Sequence, residues 1–507
     1  MRLRWPASRG TEVKTYCGID LGTQSCKLLI YDADSDCAVA SAQASLDLVA
    51  RDDGTREQEA SWYEAALLNC FGAIDPDLRD SIVAVGVSGQ QHGFVPVDSS
   101  GRPIRPVKLW CDTTTAKECA ELTAQVGGRD ALLAETGILM LPGYTAPKIL
   151  WLKHNEPGAF ARLAHVLLPH DFVNFLLTGD YVTEYGDASG TALFDVRKRQ
   201  WSDKICAAID PGLRACLPRL VAPGEPAGVV SAAASAKFGI PEGAIVAAGG
   251  GDNMMGAIGT GTVRRGFLTM SLGTSGTLYG YSDVPVVDPD GNLAAFCSST
   301  GGWLPLLCTM NCTVASEQVR GLLGLDIASF NALAERAPIG SGGVVMLPFF
   351  HGERAPNLPT GRASVQGGTA TNFTAANLAR AAMESAIFGL RGGLASFESL
   401  GFDPKEIRLI GGGAKSGLWR KIVANVLELP VRVPAGGETA AMGAVVQAIW
   451  CAGLSGGRGA SLEELVDRHI SLEEGAFVEP DPISVAAYEK AYEAYLRYLD
   501  VLSPLYR

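Results

Sequence analysis

Two stretches of this 507-residue chain gather residue types that could handle a phosphate chain and a proton. In the first, Ile19-Asp20-Leu21-Gly22-Thr23-Gln24-Ser25, an acid precedes a glycine and a run of hydroxyl and amide side chains. Glycine lets a ligand approach the backbone, hydroxyls and N–H groups wrap anionic oxygens, and a nearby carboxylate can orient a hydrated divalent ion. In the second, Ala248-Gly249-Gly250-Gly251-Asp252-Asn253, three glycines lead into an acid and an amide, and the apolar run 254–258 reads as a helix start. Asp252 at such a turn is either a helix cap or a carboxylate presented to a cleft.

The elements that must hold these stretches follow from patterning. Residues 16–32 read as a strand, a Gly-Thr-Gln-Ser turn and a second strand. The pattern returns at 267–283, with Leu21-Gly22-Thr23 falling on Leu272-Gly273-Thr274, an offset of 251. A repeat at half the chain length predicts duplicated domains that face one another, so that two Gly-Thr turns grip one phosphate chain from opposite sides. Asp20 becomes Ser271 in the repeat, so the metal-orienting carboxylate comes from the first half alone. The apolar strand 82–88 runs into Gly89-Gln90-Gln91-His92-Gly93, and ligand contacts in α/β sheets lie beyond the carboxyl ends of strands.

Asp112 ends another apolar stretch, 107–111, and is open between a substrate contact and the cap of a helix beginning near Thr115. Residues 159–168 and 172–177 carry helical patterns, and the polar clusters 167–171 and 187–191 are placed at the rim of a substrate pocket. In the second half, Ile407-Arg408-Leu409-Ile410 runs into Gly411-Gly412-Gly413-Ala414-Lys415-Ser416-Gly417, a strand, a glycine turn and a helix, whose flat backbone suits a purine or ribose. Residues 375–390 and 440–454 read as buried helices, and Tyr488, Tyr492, Tyr495 and Tyr498 as a helical core stripe.

A formal charge of -12 speaks against a general nucleic-acid or anionic-membrane surface. Any anion must be held locally, by backbone N–H groups or a metal. The twelve cysteines include no Cys-x-x-Cys pair and are read as reduced thiols of a cytoplasmic protein. No apolar run reaches the length of a membrane span, and the start lacks the apolar stretch of a signal peptide. Residues 1–14 read as a mobile tail, 15–264 as a first domain and 265–507 as a second; a monomer and a homodimer both fit.

Taken in order, Ile19-Asp20-Leu21-Gly22-Thr23, Ser88-Gly89-Gln90-Gln91-His92-Gly93, Gly250-Gly251-Asp252-Asn253, Ser271-Leu272-Gly273-Thr274-Ser275-Gly276, Gly352-Glu353-Arg354 and Gly411-Gly412-Gly413-Ala414 resemble the FGGY carbohydrate kinases of the actin-like ATPase superfamily. Within that family the branch acting on xylulose is the nearest match. The resemblance implies an α/β fold of two ribonuclease-H-like domains, ATP and Mg2+ in the cleft between them, and a sugar held mainly by the first. It implies Asp252 as general base, with Gln91, His92, Asn253 and Asp112 at the sugar. Thr23, Gln24, Ser25 and Thr274 would lie at the phosphates, and Gly412, Gly413, Ala414 and Gly417 at the adenosine. Asp20, and Asp252 through water, would serve the metal.

This chain departs from many relatives by carrying Gln91 in place of Met, Thr114 in place of Arg, Gly368 in place of an aliphatic residue, and Gly417 in place of an amide-bearing one. The expected activity is phosphorylation of a ketose, D-xylulose first. The alternatives are another ketopentose or polyol (ribulose, fuculose, erythritol, glycerol) and a sugar sensor without catalysis.

Overall fold

The computed structural model describes residues 14–457 and 459–506, so the tail expectation falls almost wholly outside the described residues. Each half of the chain builds one large sheet. In the first, β1 (Thr15–Leu21), β2 (Ser25–Asp32), β3 (Cys37–Ser45), β4 (Ile82–Gly89), β5 (Pro226–Val229) and β6 (Ile245–Ala247) take the order β5-β6-β4-β1-β2-β3, and the two-residue β7 (Gly250–Gly251) also pairs with β4. In the second, β8 (Phe267–Leu272), β9 (Gly276–Gly280), β10 (Leu293–Cys297), β11 (Trp303–Thr309), β12 (Glu406–Ile410) and β13 (Val431–Arg432) take the order β10-β11-β9-β8-β12-β13.

The two sheets share a plan. β1, β2 and β3 form an antiparallel meander, while β4 and then β6 add in parallel on the other side of β1. β8, β9 and β11 repeat the meander, and β12 and β13 repeat the parallel addition. The central strand β4 is buried along nearly its whole length, which explains its unbroken apolar run. The repeat slips by one residue at the hairpin: Leu21 pairs with Cys26, but Leu272 pairs with Gly276. The second Gly-Thr turn is therefore one residue shorter.

Four helices matter most to the cleft: α1 (Asp252–Thr260), α2 (Ala375–Ser399), α3 (Gly417–Leu427) and α4 (Thr439–Ser455). Although α4 belongs to the second half in sequence, it lies on the first sheet and crosses α1 at backbone contact. A Cβ on Gly443 would stand 1.8 Å from the carbonyl oxygen of Met255, and one on Gly259 would stand 1.8 Å from that of Thr439. Ala444, Val445, Val446 and Ile449 of α4 share a core with Met254, Ala257 and Ile258 of α1 and with residues of the first half such as Tyr144 and Phe194. Packing therefore runs across the boundary that the sequence repeat suggests.

Some expectations need correcting. Residues 159–168 hold a short helix (Pro157–Phe160) and a strand (His165–Leu167), because Val166 and Leu167 pair with Pro96 and Val95 and bury as a strand does. The stretch around Lys108 is a strand at Val107–Lys108 only. Helix Pro482–Leu502 buries Tyr488 and Tyr495 in the second core, as its spacing implies.

Because the α1–α4 crossing has no room for a side chain, Gly443→Val should destabilise the protein by at least the ~1–3 kcal/mol typical of overpacking. The denaturant midpoint reads this directly, and a variant as stable as the parent would contradict the close approach.

Candidate active site

The carboxyl edge of the first sheet aligns three of the expected residues. Asp20 pairs with Ser88 across β1 and β4, and Ser88 pairs with Gly250 across β4 and β7; one step on, the chain turns into Gln90 and Gln91 on one side and Asp252 on the other. The three-glycine stretch is thus not a simple turn. After β6 the backbone swings outward at Gly249, whose φ of +76° is left-handed, and re-enters the sheet as β7. A Cβ at Gly249 would also meet the carbonyl oxygen of Val87 at 2.6 Å. Gln447 of α4 brackets this turn, accepting from the Gly249 N–H at 2.8 Å and donating to its carbonyl at 2.9 Å, and Asn174 donates to the carbonyl of Ala248 at 2.8 Å.

Asp252 is the first residue of α1, and Gly251 is its cap. Its Oδ1 accepts from the N–H of Asn253 at 2.8 Å and from Asn253 Nδ2 at 3.1 Å. Among the described residues no hydrogen bond engages Oδ2. The side chain is therefore oriented by one oxygen, and since Gly251 holds the cap position, Asp252 is not the helix cap. Asn253 Nδ2 also donates to Gln91 Oε1 at 2.7 Å, tying the start of α1 to the neighbouring loop. Burial, then the charges of Asp20 and Asp187, push the Asp252 carboxyl up to about 7. Burial raises Asp20 as well, against a 2.9 Å hydrogen bond from Ser88 and the charge of Lys27.

Asp252 lies in a cavity of about 250 Å³ between the two halves. Gln91, His92, Trp110, Leu141, Gly143, Tyr144 and Asn253 join it from the first half. Eight more residues come from the second half, among them Ser271, Gly273, Ser275, Phe296, Cys308 and Arg354. The cavity is shared equally between the halves, whereas the resemblance places a ligand mainly in the first.

His92 takes a left-handed φ of +63°, a strain of the kind that tends to collect at functional sites. Its carbonyl is held by Lys148 Nζ at 2.7 Å and Thr145 Oγ1 at 3.1 Å. The same lysine also donates to the carbonyl of Gly143 at 2.7 Å, so one buried ammonium fixes two cavity-lining loops. Burial depresses Lys148 to about 7 and, with the charges of Lys148 and Arg354, His92 to about 3, which leaves the imidazole neutral. Tyr144 packs on the His92 ring with centroids 4.5 Å apart.

Other expected residues are placed differently. Asp112 is fully buried, and its oxygens accept from Lys108 Nζ at 3.1 Å, Thr114 Oγ1 at 2.5 Å and the N–H groups of Arg56 and Thr114. It stands behind the cavity wall, and Thr115 is the cap of helix Ala116–Gln125. The clusters 167–171 and 187–191 do not rim the pocket: His170, Asp171 and Asp187 are fully buried beneath it, with His170 Nδ1 2.7 Å from Asp187 Oδ2.

Thr23 donates to Gln90 Oε1 and receives the indole N–H of Trp110, both at 3.0 Å, while Gln24 is exposed and Ser25 begins β2. Thr274 is exposed at the tip of the second turn. Gly412, Gly413 and Ala414 form a 3-10 turn before α3, which starts at the exposed Gly417.

Sequence reasoning missed Trp110, Tyr144, Phe296 and Cys308. They carry no motif, being apolar or weakly polar residues brought in by tertiary packing. Arg354 stood in a quoted motif but without a role.

The comparisons with known proteins agree with this architecture. The family model described as the N-terminal domain of the FGGY family of carbohydrate kinases matches residues 15–259, and the C-terminal model matches residues 268–452. The chain belongs to the FGGY family of carbohydrate kinases. It is 43% identical over 496 residues to a xylulose kinase of Haemophilus influenzae, covering 96% of this chain and 100% of that one. It is 39% identical to a xylulose kinase of Streptomyces coelicolor, covering 85% and 86%. A crystal structure of a xyloylose kinase from Brucella ovis superposes with a TM-score of 0.90 at 32% identity, covering 97% and 100%. Members of this family are kinases on two actin-like ATPase domains, and this chain has that fold.

Among the described residues no cluster of three or more His, Cys, Asp or Glu side chains is placed to hold a metal. The cleft instead offers two carboxylates, Asp20 and Asp252, that repel one another. That donor set fits Mg2+, which keeps several waters and takes one or two carboxylates together with substrate phosphates.

The raised value of Asp252 has a consequence for stability. Between its unfolded value of 3.8 and its folded value of about 7, the native state holds a proton that the unfolded state has lost, so this group costs stability as pH rises, fully above about 7. Asp252→Asn removes that cost. The variant should gain on the order of 1–4 kcal/mol over the parent at pH 8 and gain nothing at pH 4, read from denaturant melts at each pH. An equal effect at both pH values would contradict the raised carboxyl.

Proposed function

We propose that this protein transfers the γ-phosphoryl group of ATP to the terminal hydroxyl of D-xylulose, giving D-xylulose 5-phosphate. The observation that carries this reading is the shared cavity, in which Asp252, with one free oxygen, lies opposite the Gly273–Ser275 turn of the second half. The xylulose kinases among its full-length relatives set the sugar.

Phosphoryl transfer depends mainly on positioning and on stabilising charge. Gln91, His92 and Asn253 hold the sugar, and the free Oδ2 of Asp252 accepts the proton of the attacking hydroxyl. A carboxyl near 7 is a stronger base than an ordinary aspartate and is still half ionised at neutral pH. The turns at Thr23, Gln24 and Ser25 and at Thr274 bind the phosphates, and Gly412, Gly413, Ala414 and Gly417 form the adenosine platform. Mg2+, when bound near Asp20 and Asp252, supplies charge neutralisation for the phosphates. Domain closure over the sugar excludes water, which would otherwise take the phosphoryl group.

Asp112 orders the loop that presents Trp110. The Lys108 ammonium pairs with Asp112 at 3.1 Å.

A coupled ADP-release assay across D-xylulose, D-ribulose, L-ribulose, glycerol and gluconate tests the reading: kcat/KM should be highest for D-xylulose, and a preference for glycerol or gluconate would overturn it. Asp252→Ala should lower kcat by ~10²–10⁴ while D-xylulose still binds. The parent's kcat/KM should fall on the acid side of about pH 7, where Asp252 holds its proton.

A further inference from the structure

The Gly-Glu-Arg stretch takes no part in the steps above, yet its arginine enters the cavity from the second half. The backbone there is fixed by Glu353, a buried carboxylate whose Oε1 accepts from the N–H of Met310 at 2.7 Å and from that of Arg354 at 2.8 Å. Its Oε2 accepts from Asn311 Nδ2 at 3.0 Å, and the same amide donates to the carbonyl of Gly352 at 2.6 Å. The next two residues after Asn311 hold the second Gly-Thr turn. The Cys312 N–H donates to Thr274 O at 3.0 Å, and the N–H and Oγ1 of Thr313 donate to Gly273 O at 3.0 and 2.8 Å. Arg354 and the Gly273-Thr274 turn are thus parts of one hydrogen-bonded unit.

Among the described residues no carboxylate pairs with the guanidinium, whose side-chain hydrogen bond is to the Cys308 thiol, a weak partner. The charge of Arg354 bears on His92, Tyr144 and Cys308, whereas Asp252 feels Asp20 and Asp187. Arg354 lines the cavity together with His92, Tyr144 and Cys308. An unpaired guanidinium in a half-enclosed space calls for acceptor oxygens, and its planar fork matches two oxygens on neighbouring atoms. A ketose with its terminal hydroxyl at Asp252 presents such a pair at its far end, a carbonyl and the adjacent hydroxyl.

We propose that Arg354 is a specificity-determining residue that reads the α-hydroxyketone end of the sugar, across the cleft from Gln91 and His92. The assignment rests on the ketose-kinase reading given above. It makes sugar recognition a joint act of both domains, because the second domain reaches the sugar through the same rigid unit that carries its phosphate turn.

Calorimetric titration of the full-length, nucleotide-free protein with D-xylulose, with xylitol, which lacks the carbonyl, and with ADP tests it. Arg354→Met should weaken D-xylulose binding on the order of 10- to 100-fold, the worth of hydrogen bonds to a charged donor. Arg354→Lys should recover only part of the loss, since an ammonium lacks the fork. Xylitol should bind the parent more weakly and lose little more in either variant, and ADP affinity should not change. Unchanged D-xylulose binding in a folded Met variant would overturn the assignment, as would equal losses for D-xylulose and xylitol, or a loss confined to ADP. Failure of the parent to bind any ketose would instead overturn the ketose-kinase reading beneath it. If Arg354→Met does not fold, the Lys variant decides, full D-xylulose affinity there counting against a role for the fork.

Discussion

The structure depends on helix α4 lying flat on the first sheet and crossing α1 with no side chain between the backbones. Glycines at 18 and 86 of the sheet and at 259 and 443 of the helix pair make this approach possible, since a Cβ at any of them would stand within about 2.1 Å of a carbonyl oxygen. Dispersion and apolar burial at that distance are strong, and the contact leaves little freedom to slide. A helix of the second half thereby becomes part of the first half's core. The two domains are joined by a packed crossing as well as by the chain that links them.

That crossing also reaches the site. α4 carries Gln447, whose amide satisfies both backbone groups of Gly249, and Gly249 is the residue at which the chain swings out before returning as β7 and starting α1 at Asp252. A buried backbone N–H and carbonyl without partners would each cost free energy, so the bulge depends on the glutamine. The position of the candidate base is thus set from three directions: by β4 through β7, by Asn174 through Ala248, and by the second half through Gln447.

Much of this was legible in the sequence, and what was not has a physical reason. The duplicated hairpins, the strands ending at Gln91 and Asp252, and the glycine turn after Ile410 are local features with their own periodicity and turn chemistry. The family follows from their order. The one-residue slip between the hairpins was hidden because a repeat aligned on its first strand says nothing of the loop length that follows. Asp112 stayed open between a substrate contact and a helix cap because an acid at a strand end looks the same whether it faces a cleft or a buried lysine. The aromatic lining was invisible because Tyr144 and Phe296 are ordinary core residues by type. Only tertiary packing decides that they wall a cavity instead of filling one.

The electrostatics of the cavity account for its division of labour. Burial first, and then the charges of Asp20 and Asp187, raise the Asp252 carboxyl, and the cost falls on stability at neutral pH. On the opposite side, Lys148 and Arg354 act with burial to keep His92 uncharged. A neutral imidazole offers one donor and one acceptor, which suits a sugar hydroxyl, whereas an imidazolium would offer two donors and compete for the carboxylate.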